Sequence, residues 1–101
     1  MQLDGLSIPD EVFTELLKKY HVKELALFGS RARGDNRPDS DVDLLVDFIP
    51  GSRIDLIQFS ELQLELQKVL GVPVDLVSRG GLKARLKERV LREARPVYAI
   101  G

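Results

Sequence analysis

Apolar positions recur along this chain with two different periods. Val12, Phe13, Leu16, Leu17 and Tyr20 fall at helical spacing. They follow Ile8-Pro9-Asp10-Glu11, whose acids suit the positive end of a helix. Leu25-Ala26-Leu27-Phe28 is a continuous apolar run ended by Gly29, which predicts a buried central strand. Residues 31–40 are polar, with Gly34, Asn36 and Pro38 as breakers, and predict a brief helical turn and a loop. From Asp41 the period becomes two. Val42, Leu44, Val46 and Phe48 share one face, and Asp41, Asp43, Leu45 and Asp47 the other, until Pro50-Gly51 ends the strand.

Ser52 with Asp55 three residues on resembles a capping box for a long helix reaching about Leu70. Leu56, Phe59, Leu62, Leu66, Val69 and Leu70 form its apolar stripe, with Ile57 and Leu64 lying away from it. Val72, Val74 and Leu76 then alternate with Pro73, Asp75 and Val77 in another strand. Gly80-Gly81 precedes a last helix with Leu82, Leu86, Val90 and Ala94 inward and Pro96 as its stop. Residues 97–100 are too short a run to assign. The pattern predicts one α+β domain over residues 1–101, a small mixed sheet of three to four strands with helices packed on one face.

Composition narrows the function. In 101 residues there is no cysteine, which excludes a disulfide framework, a zinc finger and a thiol nucleophile. No apolar run approaches the ~18–20 residues of a membrane span, and no signal-peptide pattern is present, so a cytoplasmic protein without a membrane partner is expected. The net charge of −1 argues against direct nucleic-acid binding, yet it hides an asymmetry. Residues 79–95 carry seven basic and two acidic side chains, whereas 41–75 carry two basic and seven acidic.

The candidate chemistry lies in the acidic stretch and just before it. Asp41 and Asp43, at i and i+2 of a strand, project from one face about 6.6–6.8 Å apart. Two carboxylates held so repel each other unless a cation sits between them. Mg²⁺ suits the arrangement, since it takes a few carboxylate oxygens, several waters and substrate phosphates. A third acid from a neighbouring strand would allow a two-ion site, and Asp75 is the candidate. With core faces matched, it falls on the side of Asp41 and Asp43. All three acids occupy positions where an apolar or neutral residue would make a better strand. Gly29 lets backbone come close to a ligand, and Ser30 can open a helical turn that offers its hydroxyl and N–H groups to an anion. Arg31, Arg33 and Arg37 can neutralise phosphate oxygens. Asp35, Asp39 and Asp47 read as solvated loop or strand-end residues. His21, the one histidine, has no second histidine to share a metal or RNase role. The basic last helix reads as a solvated face with pairs such as Glu88 and Arg92.

Gly29-Ser30, ten intervening residues and Asp41-x-Asp43 match the G-S-x10-D-x-D motif. In this the chain resembles the minimal nucleotidyltransferases of the DNA polymerase β-like superfamily. The resemblance implies a polymerase β-like core in which Asp41, Asp43 and Asp75 hold two Mg²⁺ ions. It also implies that Gly29 and Ser30 hold the triphosphate of ATP, and Arg31 and Arg33 are the cations expected to assist there. It further implies an antitoxin that transfers AMP to a tyrosine of a HEPN-type RNase toxin, in a hetero-oligomer with that toxin. The competing reading is an antitoxin that binds nucleotide and neutralises its partner by masking. Transfer to a small molecule is disfavoured, because ~101 residues leave no second domain for a substrate pocket. The acceptor is then expected to meet an exposed surface, such as the wide apolar helix that follows Ser52.

Overall fold

Two alternating strands, each apolar on one side and carboxylate-bearing on the other, set the frame of the molecule. The computed structural model describes residues 10–29, 41–81 and 88–100, together with the backbone of 2–3, 6–7 and 84–87. In chain order the elements are β1 (Gln2–Leu3), β2 (Leu6–Ser7), α1 (Asp10–Lys19), β3 (Val22–Phe28), β4 (Val42–Phe48), α2 (Leu56–Leu70), β5 (Val74–Ser78), a 3-10 turn (Arg79–Gly81), α3 (Ala84–Glu93) and β6 (Arg95–Ala99). β1 and β2 form a two-residue hairpin apart from the main sheet. The main sheet has the order β5-β4-β3-β6. β3 is antiparallel to both β4 and β6, whereas β4 and β5 run parallel, joined by the crossover helix α2. Among the described residues, three helices and a four-stranded mixed sheet give the expected α+β class.

The first face of the sheet is the main core. Val22, Leu25 and Leu27 of β3, Val42, Leu44 and Val46 of β4, and Val74 and Leu76 of β5 meet Phe13, Leu16, Leu17 and Tyr20 from α1 and its end. They also meet Leu62, Leu66 and Leu70 of α2. Full burial of each leucine stabilises the fold by roughly 1.5–3 kcal/mol relative to exposure. α1 keeps Asp10 and Glu11 in its first turn and Lys18 and Lys19 in its last, matching its macrodipole. It ends at His21, a non-glycine residue at φ 56° whose N–H donates to the Lys18 carbonyl and whose carbonyl accepts from Ile49 N–H. These bonds, 3.1 and 2.9 Å, fix α1 to both the start of β3 and the end of β4.

Several expectations are corrected. α2 begins at Leu56, and its capping box joins Asp55 to Gln58 rather than Ser52 to Asp55. Asp55 Oδ1 accepts from Gln58 N–H at 2.8 Å, while Gln58 Oε1 accepts from Asp55 N–H at 3.1 Å. Ser52 instead donates its hydroxyl to the Ile49 carbonyl at 2.6 Å. Leu56, placed in the buried stripe, is 79% exposed. Residues 95–99 form strand β6, because β3 leaves its second edge open for pairing. Finally, α3 lies across the sheet from α1 and α2. Its Val90, with Ala94, packs on Ala26 and Leu45, which point away from the main core. Leu82, the side chain of Leu86 and the predicted turn at 31–40 lie outside the described residues. Among the described residues no helix is long and apolar enough to cross a membrane.

Candidate active site

The second face of the sheet reads as three rows running across the strands. The first row is Phe28, Asp43 and Asp75: Phe28 is the register partner of Asp43, and Asp43 of Asp75. Neighbouring strands are about 4.8 Å apart, so the two carboxylates stand side by side on one face. The second row is apolar, with Pro96, Ala26, Leu45 and Val77 in register. Helix α3 covers it through Val90 and Ala94. The third row returns to charge, where Glu24 is the register partner of Asp47.

Asp41 precedes the first ladder residue of β4 and is exposed. The strand starts just after it, anchored by Val42 N–H donating to the Pro73 carbonyl at 2.9 Å. By strand parity it continues the side chain face of Asp43. Asp43 is half-buried and Asp75 exposed. The row therefore grades from a partly sheltered acid to open ones.

Gly29 follows Phe28 with φ +76°, in the left-handed region. A Cβ at this position would overlap Asp43 Oδ2 and lie 3.1 Å from Asp43 Cγ. Glycine is needed here twice, once for the dihedral and once for the space the carboxylate takes. The backbone turn that leaves β3 is thus pressed directly against the central acid. Ser30, Arg31 and Arg33, the other expected phosphate-holding residues, lie outside the described residues.

As a donor set the first row is all carboxylate oxygen, which suits a hard divalent cation such as Mg²⁺ rather than a thiolate- or imidazole-preferring metal. The missing Cβ at Gly29 leaves room for the central carboxylate, and in this respect the residues fit the expected ions. Among the described residues, no three His, Asp or Glu side chains are already gathered closely enough to form a metal-holding group. Asp43 and Asp75 are brought together by register, and Asp41 stands at the mouth of the strand.

The third row was not anticipated. Asp47, expected to be solvated, has Arg79 Nη1 3.7 Å from its Oδ2. With Glu24, Asp47 and Arg79, the side chains of Leu91, Ala94 and Pro96 enclose a cavity of about 100 Å³. No local sequence pattern signals this row, because the β3–β4 register passes an irregularity between Val22 and Glu24. On α3 the expected Glu88–Arg92 pair forms at 3.8 Å, alongside Arg89–Glu93 at 3.7 Å. Both are exposed i,i+4 contacts of small energetic weight. On the opposite face, Tyr20 donates its hydroxyl to Glu61 Oε2 at 3.5 Å. Burial, and then the charges of Glu61 and Glu65, raise its pKa above the ordinary tyrosine value.

Comparison with known proteins identifies the family. The family model of the nucleotidyltransferase domain matches residues 9–98. Protein adenylyltransferase MntA of Thermococcus cleftensis is 46% identical over 81 residues, covering 78% of each chain. A solved structure assigned to the minimal nucleotidyltransferases superposes with a TM-score of 0.72 at 46% identity, covering 86% of this chain and 87% of that one. A toxin–antitoxin crystal structure with AMP-PNP gives a TM-score of 0.73 at 25% identity, covering 89% of this chain and 73% of that one. The model's match over residues 9–98 and the 46% identical relative show that the chain belongs to the nucleotidyltransferase domain family.

Proposed function

We propose that this protein is an antitoxin that transfers AMP from ATP to a tyrosine of a HEPN-type RNase toxin and so silences it. The observation that carries the reading is the side-by-side pairing of Asp43 with Asp75 above a glycine that only leaves room for the carboxylate. It is supported by the 46% identical relative, a protein adenylyltransferase, and by the similarity to a toxin–antitoxin structure with AMP-PNP.

In this reading Asp41 and Asp43 hold two Mg²⁺ ions, and Asp75 completes the ligation on the acceptor side. When bound, the ions supply neutralisation of the triphosphate and activation of the attacking oxygen. Gly29 and Ser30 cradle the phosphates with backbone N–H groups, and Arg31 and Arg33 pair with phosphate oxygens. The acceptor's phenol oxygen forms a bond to the α-phosphorus while the bond from that phosphorus to the bridging oxygen breaks. Pyrophosphate leaves, and the phenol proton passes to Asp75. The basic α3 side of the molecule supplies a favourable field for the anionic substrate.

The test incubates the protein with Mg²⁺, labelled ATP and the product of its neighbouring gene, followed by intact-mass measurement. One or more AMP units should appear on the partner, and Asp43→Asn should slow their addition about 10³-fold or more. Full activity in Asp41→Asn or Asp43→Asn would remove these residues from the site. A partner that is inhibited but never modified would select masking instead of transfer.

A further inference from the structure

The cavity beside the third row of the sheet has no part in the reading of the acid row. Glu24 of β3 and Asp47 of β4 line it together with Arg79 from the turn after β5. Leu91 and Ala94 of α3 and Pro96 of β6 give it an apolar wall. At about 100 Å³ it has room for several waters or a short organic ion. Leu91, 39% exposed, is a large apolar side chain left partly in water where it meets this space. A concave apolar surface with a few convergent polar groups is the common form of a small-molecule site.

Charge selects what the cavity can hold. Its titratable lining is two carboxylates against one guanidinium. Arg79 Nη1 stands 3.7 Å from Asp47 Oδ2, beyond the ~2.7–2.9 Å of a charge-assisted hydrogen bond, so Asp47 keeps acceptor capacity. Among the described residues the Glu24 carboxylate has no hydrogen-bond or ion-pair partner. The last turn of α3, which supplies Leu91, adds the negative end of a helix dipole. An anion is therefore opposed from three directions. A bare divalent ion meets an apolar wall where it needs oxygen ligands, and a neutral ligand leaves Glu24 uncompensated. An organic cation matches both the charge and the wall.

We infer that this cavity binds a small free alkylammonium ion, its NH₃⁺ group donating to Glu24 and Asp47 and its alkyl chain lying against Leu91, Ala94 and Pro96. The three N–H donors meet the open acceptors of the two carboxylates, and one positive charge brings the lining to neutrality. Asp47 is four residues along β4 from Asp43, about 14 Å away, and the apolar row under Val90 and Ala94 lies between them. The inference does not depend on which reaction the acid row performs.

The test titrates the ¹⁵N-labelled protein at fixed ionic strength with n-butylammonium and, in parallel, with methylammonium, 1-butanol, butyrate and Mg²⁺. Butylammonium should shift the amides of Glu24, Asp47 and Leu91 to saturation, with those of Gly29 and Asp43 unmoved. Methylammonium, three CH₂ groups shorter, should bind about tenfold more weakly or worse. Uncharged 1-butanol should be weaker by about fivefold or more, and butyrate should not shift these amides. Glu24→Gln keeps the shape of the side chain and, its fold checked by thermal melting, should lose about fivefold in affinity for butylammonium. Leu91→Ser should weaken butylammonium and leave methylammonium unchanged. Equal binding of butylammonium and 1-butanol, the same shifts with Mg²⁺, shifts that map elsewhere, or no shifts at all would overturn the inference. So would tighter binding of Nα-acetyl-lysine methylamide than of butylammonium, which would assign the cavity to a protein side chain.

Discussion

One face of one sheet carries two cross-strand pairs of acids, and the fold treats them in opposite ways. Glu24 and Asp47 face each other on β3 and β4, and Arg79 from the turn after β5 reaches Asp47. Asp43 and Asp75 stand together on β4 and β5, four residues along the same strand or about 14 Å away. Here the neighbouring positions in the row supply a phenylalanine on one side and a glycine cradle beneath. The first pair is partly balanced from within the chain and belongs to the architecture. The second brings two carboxylates into register side by side and shapes the backbone around one of them, which a stable sheet does not need. In the proposed reading, two carboxylates in register beside a glycine cradle form the site for cationic cofactors and anionic substrate.

The strongest way to break this contrast is Gly29→Ala. The new Cβ would overlap the Asp43 carboxylate, and alanine at φ +76° adds backbone strain of about 1 kcal/mol. Displacing the central acid by a fraction of an ångström should lower nucleotide transfer by about 10²-fold. The variant should still fold, with stability reduced by about 1–2 kcal/mol in urea unfolding. If transfer kinetics are unchanged, the glycine cradle has no bearing on the acid row. An alanine variant that unfolds entirely would show instead that the cradle is part of the architecture.

How much of this could be read in the chain follows from the range of the interactions involved. The faces of β4 and β5 were legible because a period of two assigns each side chain locally, so Asp43 and Asp75 fell on one side before any pairing was known. The reason for Gly29 was legible only in outline, since the overlap with Asp43 depends on how closely β3 leaves β4. The start of α2 was misplaced because Ser52-x-x-Asp55 and Asp55-x-x-Gln58 satisfy the same local pattern. Contacts decide between them, and Ser52 is taken by the Ile49 carbonyl. Helical spacing also shows which side of α3 is inward but not which face of the sheet receives it. The clue was that Ala26, Leu45 and Val77 put apolar surface on the acid face, where only a helix could cover it. The Glu24–Asp47 pair required the exact register past the irregularity in β3, which no local pattern carries.

The second test sharpens the other half of the contrast. Arg79→Met should reduce stability by about 0.5 kcal/mol, because it leaves Glu24 and Asp47 facing each other unbalanced. The side chains of the pair are 39% and 33% exposed, so solvent screens the contact and the loss should shrink in 1 M salt. In an Asp47→Asn background the same substitution should cost less, and the difference measures the coupling directly. Transfer activity should be unaffected. An equal loss in both backgrounds would show that Arg79 acts through packing around the cavity and not through charge.

The smallest effect is also the most discriminating, because it has the opposite sign. Asp75 is exposed and stands beside Asp43, so neutralising it as Asp75→Asn removes a like-charge contact without removing volume. In chelator, with no divalent ion present, the variant should be more stable than the parent by about 0.2–0.5 kcal/mol in urea unfolding. With Mg²⁺ and ATP added, the parent should regain the difference, since only it retains the full set of ligands and binding to the native state raises stability by mass action. The matching change in the other pair, Asp47→Asn, should be destabilising in chelator, since it deprives Arg79 of its partner. If both variants shift in the same direction, the two pairs are alike and the acids of the first row are ordinary strand residues. Opposite signs would tie the instability of one row to the cations it is shaped to receive.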